Sequence, residues 1–257
     1  MKVYSVIALE NFPQIKPGDN IAEVIVETAG KNGVKIDDGD VIAVAQKIFS
    51  KAEGRISRLR EVVPSEEAKK VAKAAGKSAK FVELVLRETK NILKASQGVL
   101  LVEDNRGLVC INAGIDKSNV NGEDSFALLP ENPDLSAESC RREIKRLTGK
   151  NVGVVVCDTY SRPFRRGQVN FAIGVSGIKP FKDYRGKRDL YGYVLKVKNV
   201  AVVDEIAAAA ELLMGQGAEA TPVVIFKGLK DFLEFSEVSS ISSLAIGRDE
   251  DLFTGAL

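Results

Sequence analysis

Histidine is missing from all 257 residues, which excludes Ser-His-Asp and Cys-His catalytic arrangements and any imidazole-bound metal. Chemistry in such a chain rests on carboxylates, lysine, arginine, hydroxyls, backbone amides or a hard cation held by oxygen. Cysteine is scarce. Cys110, Cys140 and Cys157 are an odd, scattered set without the spacing of a zinc site or disulfide framework, so a reducing cytoplasm is the expected compartment. An excess of one charge is also lacking: 37 basic and 35 acidic side chains leave a net charge of +2, and no overall field favours nucleic acid, membrane or acidic protein. Any anion site must therefore be local. No apolar run approaches the roughly 20 residues that span a bilayer. The opening MKVYSVIALENF reads as a strand and not a signal peptide. Internal repeats, low-complexity tracts and long linkers are absent as well.

What is present is 45% hydrophobic content, enough for a sizeable core. β-Branched runs alternate with helical patterns, which argues an α/β protein. Strands are expected at 2–8, 40–46, 98–103, 107–112, 152–157, 170–175 and 221–226. Asn105, Arg106 and Gly107 between GVLLVED and GLVCINA mark a β-hairpin. Apolar residues at three- and four-residue steps predict helices at 20–31, 65–76, 80–95, 136–148 and 200–214, with Gly149 as a stop. The Pro, Asn and Asp-rich stretch 129–135 is the best candidate junction between lobes.

Two nucleotide motifs fail on context. GQGAEA at 215–220 matches G-x-G-x-x-A, but that pattern needs a strand before it and a helix after it; here a helix precedes, and Pro222 with VVIF follows. Gly76, Lys77 and Ser78 resemble the end of a P-loop, yet the required earlier glycine is Val71. What remains is three polar segments that follow strands. AQKIFSKAEGR, 45–55, carries Lys47 and Lys51, able to reach phosphate oxygens as mobile point charges, or else simply a solvated strand end. NAGIDKSNV, 112–120, crowds Asn112, Asp116, Ser118 and Asn119 into a glycine-containing loop of ordinary turn formers. VGVVVCDTYSRPFRRGQ, 153–169, is less easily dismissed: Asp158 and Thr159 offer hard oxygen ligands for Mg²⁺ or Mn²⁺, and Arg162, Arg165 and Arg166 offer a clamp for phosphoryl or carboxylate oxygens. Two acids on separate loops, basic groups nearby and no histidine suggest metal-assisted phosphoryl transfer from a nucleotide. A base is not needed if the attacking group is already a carboxylate.

In five segments taken in order, the chain resembles the coenzyme F420-0:L-glutamate ligases: FPQIKPGD at 12–19, AQKIFSKAEGR at 45–55, GLVCINAGIDKSNV at 107–120, CDTYSRPFRRGQVNFAIG at 157–174 and RDLYGYVLKVKNVAVVDEIAAAAELLMGQG at 188–217. The resemblance implies GTP-dependent addition of L-glutamate to a deazaflavin coenzyme precursor. It implies an unusual two-lobed α/β ligase fold with mixed sheets, neither Rossmann nor P-loop, and an intertwined homodimer. We expect one ligase unit over 1–257 with interwoven lobes, about 1–95 with 190–257 and about 96–189.

Carried over by position, Asp116, Asp158, Thr159 and Gln216 look like ligands of two divalent cations, with a monovalent cation as a further candidate. Asn11, Phe12, Pro13 and Gln14, then Gln46, Lys47, Lys51 and Asn119, resemble nucleotide-binding positions. So does the loop of Met214, Gly215, Gln216, Gly217, Ala218, Glu219, Ala220 and Thr221, by a geometry other than the dinucleotide one. Arg162, Arg165 and Arg166 are the expected catalytic clamp for substrate anions. Ser161 and Phe164 stand where the family pattern has Gly and Trp, and Gln216 where an acid often occurs; Gln for Glu removes a charge from one metal. The implied partners are GTP, glutamate and the deazaflavin precursor, without membrane or nucleic acid. A nucleic-acid module built on SRPFRRG is the rival from another class, disfavoured by the small net charge. A ligase joining an amino acid to another carboxylate is the nearer alternative.

Overall fold

The computed structural model describes residues 1–96, 98–247 and 250–251. Among them are twelve strands and six α-helices, an α/β protein with several sheets. By contact the chain forms two compact units: Met1–Ile15, Asp19–Ile48 and Asn132–Leu244 in the first; Lys16–Gly18, Phe49–Glu131 and the described residues from 245 on in the second. The break at Glu131 falls inside the Pro, Asn and Asp-rich stretch expected to join lobes. The grouping otherwise differs from the sequence expectation, because residues 153–176 are hydrogen-bonded into the sheet that holds 41–45.

In the first unit, β1 (Ser5–Ala8), β2 (Val41–Ala45), β8 (Gly153–Arg162), β9 (Arg165–Ser176) and β12 (Val223–Lys227) form one sheet in the order β1-β12-β2-β8-β9. Only β2 and β8 run parallel. Val41 to Val44 have no exposed surface, which explains why VIAVA is a continuous apolar run: a central strand covered on both faces has no polar side. On one face lies α6 (Val202–Met214), whose Val203, Ile206, Ala207, Ala210 and Met214 pack with Val41, Ala43, Val155, Cys157, Val224 and Phe226. α1 (Ile21–Lys31) packs with α5 (Pro133–Thr148), which lies against β8 and β9.

Local signals set these helix ends. Asn20 accepts from the amides of Ala22 and Glu23, and Asn132 from Leu135 with Pro133 in the first turn, the usual satisfaction of orphan helix donors. Gly149 closes α5 at φ 73°, as expected for a left-handed cap. The start of α5 touches the sheet at Gly174, where a Cβ would lie 2.5 Å from the Pro133 carbonyl carbon. Gly174→Ala is therefore expected to cost about 1–3 kcal/mol by overpacking, read as a lower urea midpoint. A change below about 0.5 kcal/mol, within ordinary surface scatter, would show that α5 shifts freely. A short ribbon of β10 (Phe181–Asp183) and β11 (Asn199–Ala201) completes this unit.

The second unit holds β3 (Ile56–Arg58) paired with β7 (Ser125–Ala127), the helices α3 (Glu66–Ala75) and α4 (Ala79–Arg87), and a sheet of β4 (Thr89–Ser96), β5 (Val99–Asp104) and β6 (Val109–Ile111). The expected hairpin is β5 with β6. The expected helix over 80–95 is corrected: it stops at Arg87, and 89–96 is a strand paired with β5. Thr89 turns its hydroxyl back to the Val85 carbonyl at 2.7 Å, and Glu88 at the helix end accepts from Arg55 and Arg106, each at 2.7 Å. From Thr89 on, the ladder with β5 takes over. The P-loop likeness is chance: Gly76 caps α3 at φ 63° and Ser78 precedes α4.

The segment 45–55, expected from sequence to follow a strand either as a phosphate-reaching stretch or as a solvated strand end, is mostly α2 (Gln46–Ala52). It follows β2 without a loop. Its Gln46, Phe49 and Ser50 are buried, an i, i+3, i+4 set that a helical face, and not an extended one, explains.

Candidate active site

The strand registers of the first unit bring four named segments to one end of its sheet. Ala8 pairs with Val224, and the Leu9 amide donates to the Val223 carbonyl at 2.9 Å. Val44 pairs with Val223, the Ala45 amide donates to the Pro222 carbonyl at 2.9 Å, and Ala45 pairs with Cys157. Asn11 to Gln14, Gln46 with Lys47, Asp158 with Thr159, and the loop 214–221 therefore all leave or enter the sheet at the carboxyl ends of β1, β2 and the apolar part of β8. Ligands of open α/β sheets bind at such ends.

β8 does not stop at Cys157, as the sequence suggested, but runs on to Arg162 and turns through Pro163 and Phe164 into β9. Asp158 pairs with Phe171 and Thr159 with Asn170. Successive side chains on a strand point to opposite faces, so Thr159 shares the α6 face with Val155 and Cys157, and Asp158 takes the other. On the α6 face the Thr159 hydroxyl donates to Asn170 Oδ1 at 2.8 Å. Gln216 Nε2 reaches Thr159 Oγ1 at 2.8 Å and Glu211 Oε1 at 2.5 Å. Burial pushes the Glu211 carboxyl up, the Gln216 amide lowers it and the Glu219 carboxylate raises it again, with a net rise. The Cys157 thiol is likewise pushed up, first by burial and then by Asp158, Glu211 and Asp204. The Asp204 carboxyl, raised by burial, holds the Ala172 amide at 3.0 Å.

The loop after α6 is folded on itself. Glu219 accepts from the Gly217 amide at 2.8 Å, and the Thr221 hydroxyl caps the Leu213 carbonyl at 2.9 Å. Among the described residues, six non-glycine positions have positive φ; Asn11 at 55°, Asn119 at 54° and Ala220 at 53° are three of them. Backbone held in this region costs on the order of 1–3 kcal/mol and concentrates at ligand sites. All three stand at positions the resemblance gives to the nucleotide.

Asp116 and Asn119 belong to the second unit. There Asp116 bridges Ala127 through its backbone, and its carboxylate accepts from the Ser118 amide at 2.9 Å and hydroxyl at 2.6 Å. Before it, Asn112, Ala113 and Gly114 are successive left-handed residues. Lys47 and Lys51 stand four apart on α2 and so share one helix face. Arg162 and Arg165 pair at the far end of the β8–β9 hairpin, where Arg162 Nη2 donates to the Arg166 carbonyl at 3.2 Å. The arginines sit on strands and not on the loop expected for them. Arg165 and Arg166 are exposed.

A family model described as F420-0:Gamma-glutamyl ligase matches residues 10–228, a span that includes every candidate residue in both units. The chain belongs to this family. Similar proteins named Coenzyme F420:L-glutamate ligase include one from Archaeoglobus fulgidus, 51% identical over 87% of this chain and 87% of its own length. One from Methanopyrus kandleri is 46% identical over 86% and 85%, and one from Methanothermobacter thermautotrophicus is 42% identical over 98% and 99%.

Among the described residues no three His, Cys, Asp or Glu side chains gather as a metal site, so acids alone do not build one. The Thr159 hydroxyl and Asn170 amide oxygens, with the Gln216 amide turned to present its oxygen, would complete a hard-oxygen shell, which suits Mg²⁺ or Mn²⁺. Asn170 and Glu211 were not singled out from the sequence. Asn170 is buried in an apolar strand, and Glu211 is an acid in the last turn of a helix that has no basic residue there; that mismatch with the helix dipole was the available signal.

Proposed function

We propose that the protein joins L-glutamate to the deazaflavin precursor F420-0 at the cost of GTP, in coenzyme F420 biosynthesis. The observation that supports it best is the convergence of Asn11 to Gln14, Gln46, Lys47, Asp158, Thr159 and the loop 214–221 at one end of a sheet, in a chain without histidine. A carboxylate oxygen of the precursor attacks the γ-phosphorus in line and GDP leaves. The glutamate amine then attacks the acyl carbon, phosphate departs, and the amide forms. The residues that would hold divalent cations are Asp116, Asp158, Thr159 and Gln216. Bound there, such cations would neutralise phosphate charge. Lys47, Lys51 and the backbone of the loop 214–221 bind and orient the nucleotide, and Arg162, Arg165 and Arg166 hold substrate anions. The working form is a homodimer in the cytoplasm.

The test is to incubate the protein with F420-0, glutamate, GTP or ATP, and Mg²⁺ or Mn²⁺, and to weigh the products. A glutamate-sized gain with GTP is expected. Nucleotide hydrolysis indifferent to the deazaflavin would sink the reading, and turnover of another carboxylate in its place would favour a related ligase. Lys47→Ala and Lys51→Ala should each raise the KM for GTP about 10–100-fold, the loss of one charged hydrogen bond, with a smaller effect on glutamate. A change in the glutamate KM alone would move these lysines to the acceptor pocket.

A further inference from the structure

We propose that Glu211 is the acidic member of a divalent-cation site on the α6 face of the sheet, its Oε2 supplying the charge that Gln216 lacks. The inference rests on the metal-dependent reading above. Its observations are separate. One Gln216 amide group spans Thr159 Oγ1 and Glu211 Oε1, which places the hydroxyl and the carboxylate around a common point. Glu211 Oε2 is shielded from solvent and has no hydrogen-bond partner among the described residues. A carboxylate oxygen in that condition is costly unless a positive group meets it. The last turn of α6 has no basic residue, and negative charge at a helix carboxyl end is opposed by the helix dipole.

The pleat closes the argument. Asp158 lies on the face of β8 opposite Thr159, so it does not provide the charge beside Gln216. Thr159, Asn170 and Gln216 are neutral, and a hard divalent cation held by neutral oxygens alone is weakly bound. Glu211 is the acid tied to that set through Gln216, whereas the Glu219 carboxylate on the same loop is held by the Gly217 amide.

The experiment is a Mn²⁺ titration of the metal-free full-length protein, with and without GDP, counting free Mn²⁺ by electron paramagnetic resonance. Thermal midpoints are taken in EDTA. Glu211→Gln keeps size and the contact to Gln216 but removes the charge. It is expected to weaken one class of Mn²⁺ site at least about tenfold, the loss typical of groups supporting a metal, with a metal-free midpoint at or above the wild type. Glu211→Asp should fall between the two and serves if Glu211→Gln does not fold. Wild-type Mn²⁺ affinity in Glu211→Gln overturns the inference, and if Asp158→Asn weakens binding in the same assay the metal-dependent reading survives it. A wild-type protein that takes up no Mn²⁺ in either condition sinks both.

Discussion

Asp158→Asn should lower kcat by about 10³-fold at saturating Mn²⁺ while leaving the fold intact. The magnitude follows from a metal contribution of several kcal/mol to charge stabilisation, at about 1.4 kcal/mol per tenfold. The fold should survive because Asp158 holds its place through the backbone ladder to Phe171, which Asn leaves untouched. Asp116→Asn, in the second unit, is expected to lower kcat as well, by the loss of a charge that would hold a cation. Turnover assayed across a Mn²⁺ series, with circular dichroism as the control for folding, decides the matter. Near wild-type activity with unchanged Mn²⁺ dependence would leave Asp158 as a strand residue only.

The second large effect concerns stability. In the second unit, Arg106 donates to Glu88 at 2.7 Å, to Asp104 at 2.9 Å and to the Pro130 carbonyl at 3.0 Å. Asp104 is fully buried. Burial lowers the Arg106 pKa, but the bond to Glu88 and the charges of Asp104 and Glu88 raise it more, so the guanidinium stays charged. Arg106→Ala leaves the buried Asp104 without its cation and Glu88 with Arg55 alone, and is expected to cost about 3–5 kcal/mol, against a total near 5–15 kcal/mol for an ordinary domain. Arg106→Lys should recover only part, because an ammonium cannot hold three partners in the plane of a fork. Urea unfolding measures both, and a loss under about 1 kcal/mol for Arg106→Ala would show that the network contributes little.

Arg106 also shows where sequence reading ends. As part of Asn-Arg-Gly it announced a turn, and the hairpin is there; that the same side chain anchors Glu88 and Asp104 is a contact no local pattern encodes. By itself the sequence determined what is local or compositional. The run VIAVA made a buried strand, Asn20, Asn132 and Gly149 set helix ends, and the absence of histidine limited the chemistry to oxygen ligands and charges. The motif segments carried the family. Tertiary structure decided what depends on pairing between distant strands. Residues 89–96 became a strand because β5 offered a ladder, although their apolar spacing also suited a helix. Asp158 and Thr159, adjacent in sequence, were turned to opposite faces by the pleat. Glu211 meets Gln216 only because the loop after α6 folds back on the helix. Side-chain direction and long-range pairing are settled only when the whole sheet buries its faces, and so the partners of these residues were not legible in a linear pattern.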